Sequence, residues 1–158
     1  MSNDFDFLLG KWKVVNYRLA RWLCGSREWI EFESRHEERK LSTGRGTVAF
    51  HEYVMDRVPY ERNILREYHE KFDFWKIDRL DPRTSLQMSP LKGTFWDNKG
   101  SFISRGVLRG SDVLVHVEWT HICDTFANWE QSLSRDNGRT WETSWVMEFC
   151  RYKPVLVS

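Results

Sequence analysis

Between Asp112 and Tyr152 the sequence DVLVHVEWTHICDTFANWEQSLSRDNGRTWETSWVMEFCRY holds three runs that alternate residue by residue. Val113, Val115, Val117 and Trp119 share one face of the first run, opposite Leu114, His116 and Glu118. Ala127, Trp129, Gln131 and Leu133 share a face of the second. In the third, Trp141, Thr143, Trp145, Met147 and Phe149 alternate with Glu142, Ser144, Val146, Glu148 and Cys150. Successive strand side chains point to opposite faces, so a period of two predicts half-buried strands and argues against helix. Between the last two runs, Asn137-Gly138 supplies the positive-φ positions that a tight hairpin requires.

The rest of the chain reads the same way. Asp4 is a plausible N-cap for Phe5, Leu8 and Leu9, which predicts a short helical plug stopped by Gly10. A strand follows from Lys11 to about Arg18, then a helical turn over Leu19 to Leu23 that Gly25-Ser26 ends. Glu28 to Arg35 reads as a second strand, and the charged stretch from His36 to Leu41 as its solvated end. TVAFHEYVM is the third strand, with a turn from Asp56 to Pro59. RNILREYHE and KFDFWKID form the next hairpin, and Asp81-Pro82 turns the chain between Leu80 and Ser85. Short strands then alternate with turns at Asn98-Lys99-Gly100 and Arg109-Gly110-Ser111. Turn signals at this spacing predict an all-β fold, and nearest-neighbour connections favour a single antiparallel up-and-down barrel of about eight to ten strands, which leaves no open edge. One domain spanning residues 1–158 is expected.

Charge and composition narrow the function. Lys plus Arg number 24 against 23 Asp plus Glu, a formal net charge of +1, which gives no reason to expect a nucleic-acid or membrane partner. Cys24, Cys123 and Cys150 show neither a disulfide framework nor metal-ligand spacing, so no metal is expected. The start lacks a signal-peptide pattern and no stretch is long and apolar enough to cross a bilayer, which makes the cytoplasm the expected location. Nine Trp, ten Phe and five Tyr are many for 158 residues. Most would pack the core, leaving a minority to line a pocket for a flat apolar ligand.

Three stretches carry resemblances. Gly10-Lys11-Trp12, opening the first strand, resembles the G-x-W signature of the calycins, the superfamily of lipocalins and fatty-acid-binding proteins. That resemblance implies a Trp lying across the closed end of the barrel under a basic residue of the last strand, here Arg151. FDFLLGKWKV, SPLKGTFWDNKGSF and WTHI with ANWEQSLSRDNGRTWETSWVMEF are similar to a lipocalin-like family of small bacterial proteins without an assigned activity. The likeness covers nearly the whole chain and implies a calycin-type barrel. The chain departs from that family at Thr47-Val48-Ala49-Phe50, where the family has Asn-Val-Asp-Glu, and His51 follows; this implies a ligand different from that of its relatives. Ser134 to Trp141 resembles the Asp-box, S-x-D-x-G-x-T-W, of sialidases. One such box in a chain this short implies a hairpin lock, not sialidase activity.

The leading functional expectation is a barrel that binds a small, largely apolar or aromatic molecule. Trp75, Trp119, Trp129, Trp145 and Met147 would form walls, with Arg18, Arg66 and Gln131 as polar groups that orient it. The alternative is a cofactor-independent isomerase, cyclase or decarboxylase that uses His51 and Tyr68 as acid/base groups in the same cavity. A haem-binding barrel with His51 as iron ligand is a third, minor reading; otherwise no cofactor is expected. His116, Glu118 and His121 read as an exposed stripe. A homodimer remains compatible with the sequence.

Overall fold

The computed structural model describes residues 1–82 and 84–152. Among these residues eleven strands follow one another: β1 (Gly10–Leu19), β2 (Trp29–Lys40), β3 (Gly46–Met55), β4 (Val58–His69), β5 (Phe74–Leu80), β6 (Leu86–Met88), β7 (Leu91–Trp96), β8 (Lys99–Leu108), β9 (Ser111–Thr120), β10 (Phe126–Ser134) and β11 (Glu142–Arg151). All pairings are antiparallel, and β1 against β11 together with β8 against β9 closes a ten-stranded barrel. Strands β6 and β7 are one wall position broken at Ser89-Pro90: β7 pairs with β8 from Lys99 to Ile103, and β6 from Gly106 to Leu108. Strand β5 meets β7 only as far as Ile77 opposite Leu91, so beyond that point the wall parts between β5 and β6.

Alternation decides which side chains enter. Val113, Val115, Val117 and Trp119 point inward from β9, as do Ala127, Trp129, Gln131 and Leu133 from β10. The expected helical plug is a single 3-10 turn at Asp6–Leu8, because Leu9 is already extended and Gly10 takes φ +106°. Its Phe5 and Leu8 are fully buried in the closed end, and Trp12 Nε1 donates to Leu8 O at 2.7 Å. The guanidinium of Arg151 lies 4.1 Å from the Trp12 ring centre and donates to the Phe7 and Leu9 carbonyls. First and last strands are thus sealed by one stack, with the attraction of a cation for an indole face. A Cβ on Gly10 would stand 2.9 Å from that guanidinium, so the glycine serves both the turn and the stack.

Two local expectations are corrected. Residues 20–28 form bends instead of a helical turn and fold across the open end. Arg109 donates to Trp22 O, Arg135 to Leu23 O at 3.1 Å, and Leu23 N to Glu142 Oε2, so neighbouring turns pin this segment down. The stretch from His36 to Lys40 is not a solvated end. It continues β2, with His36 and Glu38 buried and Glu37 and Arg39 facing out. The turn before β11 is held by Asp136, which accepts from Thr140 N at 2.8 Å, from the Thr140 hydroxyl and from Ser134 Oγ at 2.8 Å. Asn137 and Gly138 take φ +60° and +89° there.

Candidate functional site

At the open end, behind the Trp22 segment, a chamber of about 270 Å³ is lined by Trp22, Arg62, Arg79, Met88, Gln131 and Trp145 among others. A second hollow of about 240 Å³ shares Asp81 and Trp145 with it and adds Arg18, Tyr53 and Met55. The first is close to the lower size of small-molecule sites, with room for a compact ring system. A larger depression of about 780 Å³ lies outside the barrel over Lys13, Glu33, Glu52 and Glu61, on exposed side chains.

The chamber's polar groups come from adjacent strands. Arg62 and Arg66 enter from β4 at inward positions four residues apart, and Arg79 from β5 stands opposite Ile64. Arg62 and Arg66 are buried and Arg79 partly so, with its guanidinium enclosed. Each lies over aromatic rings: Arg62 at 5.2 Å from Trp145 and 5.5 Å from Trp129, Arg79 at 6.0 Å from Trp129, Arg66 at 5.0 Å from Phe5. Their counter-charges are few. Glu38 binds Arg66 directly, and Asp81 stands 4.0 Å from Arg62 Nε. Arg79 makes no ion pair among the described residues. It donates to Gln131 Oε1 at 3.0 Å and points a second nitrogen at Met88 Sδ.

Burial disfavours the charged form of all three guanidinium groups. It pulls Arg62 down to about 10, against the attraction of Asp81. Arg79 falls well below its ordinary value through burial and then the repulsion of Arg62, which Asp81 only partly offsets. Burial lowers Arg66 too, with Glu38 opposing. Two buried donors of residues lining this region, Trp22 Nε1 and Arg62 Nε, have no hydrogen-bond partner among the described residues, and Arg66 Nε has none there either. The chamber therefore presents donors in excess of acceptors, and positive charge in excess of negative.

Beneath the arginines runs a buried polar row. Glu38 accepts from Thr47 Oγ1 at 2.6 Å, from Arg66 and from His36 Nε2 at 2.6 Å. His36 Nδ1 lies 2.9 Å from His51 Nδ1, and His51 Nε2 has no hydrogen-bond partner among the described residues. In the ladders His36 stands opposite His51, and His51 opposite Arg62. Burial alone would raise the Glu38 carboxyl, but Arg66, His36 and Thr47 hold it below its ordinary value. His36 is lowered by burial, and His51 well below its ordinary value by burial, then by His36, Arg62 and Arg66.

The residues expected from sequence divide between the two ends. Arg18, Gln131 and Trp145 line the open-end hollows, and Trp129 lies behind Arg62 and Arg79. Trp145 is fixed by Nε1 donating to Asn16 Oδ1 at 3.0 Å, with Arg18 stacked 5.1 Å from it. Gln131 holds Arg79 through its oxygen and gives its amide to Ser144 Oγ at 3.2 Å, so it orients the arginine. Met147 packs opposite Trp129 in the core. Trp75 and Trp119 belong to the closed end: Trp75 donates to Asp4 and packs 4.8 Å from Phe5, and Trp119 packs 5.1 Å from Phe149. Arg66 is engaged by Glu38 below the chamber. His51 and Tyr68 are not brought together. Tyr68 stands six positions beyond Arg62 on β4, toward the closed end, with its hydroxyl bonded to Asp73 and pushed up to about 12. His116 faces outward with Nε2 2.8 Å from Ser101 Oγ. Sequence reasoning missed Arg62, Arg79, His36, Glu38 and Trp22. The parity of Arg62 with Ile64 and Arg66 on β4 was the available signal for the first.

No family model and no curated protein matches the chain at a significant level. Among solved structures it is similar to an S-type phycobiliprotein lyase from Guillardia theta, with a TM-score of 0.61 at 10% identity, over 98% of this chain and 94% of that one. At such identity the likeness is one of fold, a lipocalin-like antiparallel barrel.

Proposed function

We propose that the barrel binds a small, planar, largely aromatic acid in the open-end chamber. Trp22 and Trp145 supply flat apolar walls, and Arg79 and Arg62 receive the acidic group. The observation that carries this reading is Arg79: an enclosed guanidinium bonded to two neutral partners and repelled by Arg62, with Asp81 offsetting only part of that repulsion. A charge in such a place is costly unless an opposite charge joins it. Trp22 Nε1 and Arg62 Nε, without hydrogen-bond partners among the described residues, add donors where a carboxylate needs them. The aromatic walls favour a flat molecule, and the chamber volume favours one with few rings.

The test is Arg79→Leu, examined by thermal unfolding and by tryptophan fluorescence against a panel of aromatic acids, their neutral amides and one bilin. The bilin is included because a solved structure of similar fold is a phycobiliprotein lyase. In the wild-type protein the acids are expected to bind and the amides to bind far more weakly. Arg79→Leu should unfold at a higher temperature without ligand, because it removes a buried charge that Asp81 offsets only in part. It should also lose acid affinity by about thirtyfold or more. Equal binding of acids and amides, or undiminished affinity in Arg79→Leu, would refute the anion site.

A further inference from the structure

We infer that His51 Nε2 is a bare hydrogen-bond acceptor set to receive an O–H or N–H of the bound molecule. The ligand is then an aromatic acid that carries a donor group as well as its carboxylate. This rests on the anion-binding reading of the chamber for the acid and on the polar row beneath it for the donor.

Along that row each proton position fixes the next. Glu38 takes hydrogen bonds from Thr47 and Arg66, and the adjoining guanidinium favours its ionised form. An ionised carboxylate only accepts, so the 2.6 Å contact with His36 must be made by a proton on His36 Nε2. A neutral imidazole carries one N–H, which leaves His36 Nδ1 with a lone pair. That lone pair lies 2.9 Å from His51 Nδ1, a separation that requires a proton between the two nitrogens. The proton therefore belongs to His51 Nδ1. His51 has then spent its only N–H, and its Nε2 is unprotonated.

Both imidazoles are almost wholly enclosed, which favours their neutral forms; at His36 burial, with Arg66 and Arg62, outweighs the pull of Glu38, and at His51 burial is joined by His36, Arg62 and Arg66. The bare nitrogen sits on the ring edge away from His36 and has no partner among the described residues. His51 stands directly opposite Arg62 on the neighbouring strand, and Arg62 lines the chamber. Directly opposite inward side chains on paired strands lie within about 5 Å of each other at their Cβ atoms. His51 itself lies enclosed below the chamber's lining, so an acid held by the guanidinium groups reaches this lone pair by extending its donor group past Arg62. A second carboxylate there would meet that lone pair unfavourably, while a hydroxyl or ring N–H would satisfy it. A buried site built to pair with a donor discriminates strongly against an analogue that lacks one.

Two measurements test this. Long-range proton–nitrogen correlation spectra of the imidazole rings in the full chain are expected to show protons on His36 Nε2 and His51 Nδ1, with His51 Nε2 bare. A proton on His51 Nε2 overturns the inference. Binding is then measured for matched pairs: indole-acetate against N-methylindole-acetate, and para-hydroxyphenylacetate against its para-methoxy analogue. The donor member should bind the wild type about tenfold more tightly, as expected for one hydrogen bond to a buried partner. That preference should vanish in His51→Phe while affinity for the methylated acids is retained. His51→Asn, whose amide can still donate to His36, serves the same comparison should the phenylalanine fail to fold. Equal affinity within each pair in the wild type overturns the inference. If no acid binds, the anion reading fails alone, and indole and phenol decide the matter: binding that His51→Phe abolishes supports the acceptor, and its absence removes it.

Discussion

His36, His51 and Glu38 make the interior of this barrel sensitive to acid. Both histidines are lowered from an ordinary value of 6.5, so below that pH the unfolded chain takes up protons that the folded chain refuses. Stability therefore declines as pH falls from about 6.5 toward their folded values. Glu38, held below its ordinary 4.5, adds a contribution that is present above 4.5 and lost as pH falls through its folded value. The urea midpoint is expected to be level above neutrality and to drop between pH 6.5 and 4.5. The drop should be shallower in His51→Phe, because one proton-refusing group has gone. An unchanged slope in that variant would mean that His51 is charged in the folded state.

The parted wall between β5 and β6 follows from a few residues. Ser89-Pro90 interrupts the strand that would face β5, and Pro90 has no N–H to give to a ladder. Past Ile77, β5 keeps its partner β4 on one side only. Hydrogen exchange should accordingly be faster at the slit-facing amides of Asp78–Leu80 and of β6 than along β10, which is paired on both sides. Protection there equal to that of β10 would mean that the wall is closed in solution. The alternating strands were readable in the sequence because they depend on parity along one run, and the Trp12–Arg151 seal was implied by the resemblance of Gly10-Lys11-Trp12 to the calycin signature. The lining of the chamber was not. HEERK looks solvated until Thr47 and Arg66, from two other strands, are known to meet Glu38. Trp75 and Trp119 share the inward parity of Trp129 and Trp145, and only Phe5, brought in by the first turn of the chain, assigns them to the closed end. The segment from Ala20 to Glu28 carries no periodicity that would announce its role; Arg109, Arg135 and Glu142, all distant in sequence, hold it over the opening.

Taken as a whole, the barrel is packed unequally along its axis. The closed end is a dense aromatic core in which Phe5 meets Trp75, Phe95, Phe102 and Trp119. The open end keeps guanidinium groups where apolar side chains would be more favourable. If the open end holds the proposed ligand, stability and binding are set against each other at separate places, and substitutions at the two ends should behave oppositely. Phe5→Ala is expected to cost about 3–5 kcal/mol of folding stability, as for other large core truncations, and to leave acid selectivity unchanged. Urea titration with and without ligand distinguishes this from a change that reaches the chamber.

The enclosed Arg79 also has a consequence for how long the molecule lasts. Anything that binds only the folded state raises its stability by mass action, by about 2.7 kcal/mol at a hundredfold excess over the dissociation constant. An acid beside Arg79 would do so while relieving a strain that the empty barrel bears. Where unfolded chains are continuously degraded, a change of one or two kcal/mol alters abundance several-fold. The amount of this protein in a cell would then track the supply of its ligand with no change in synthesis: the empty barrel is cleared and the filled one persists.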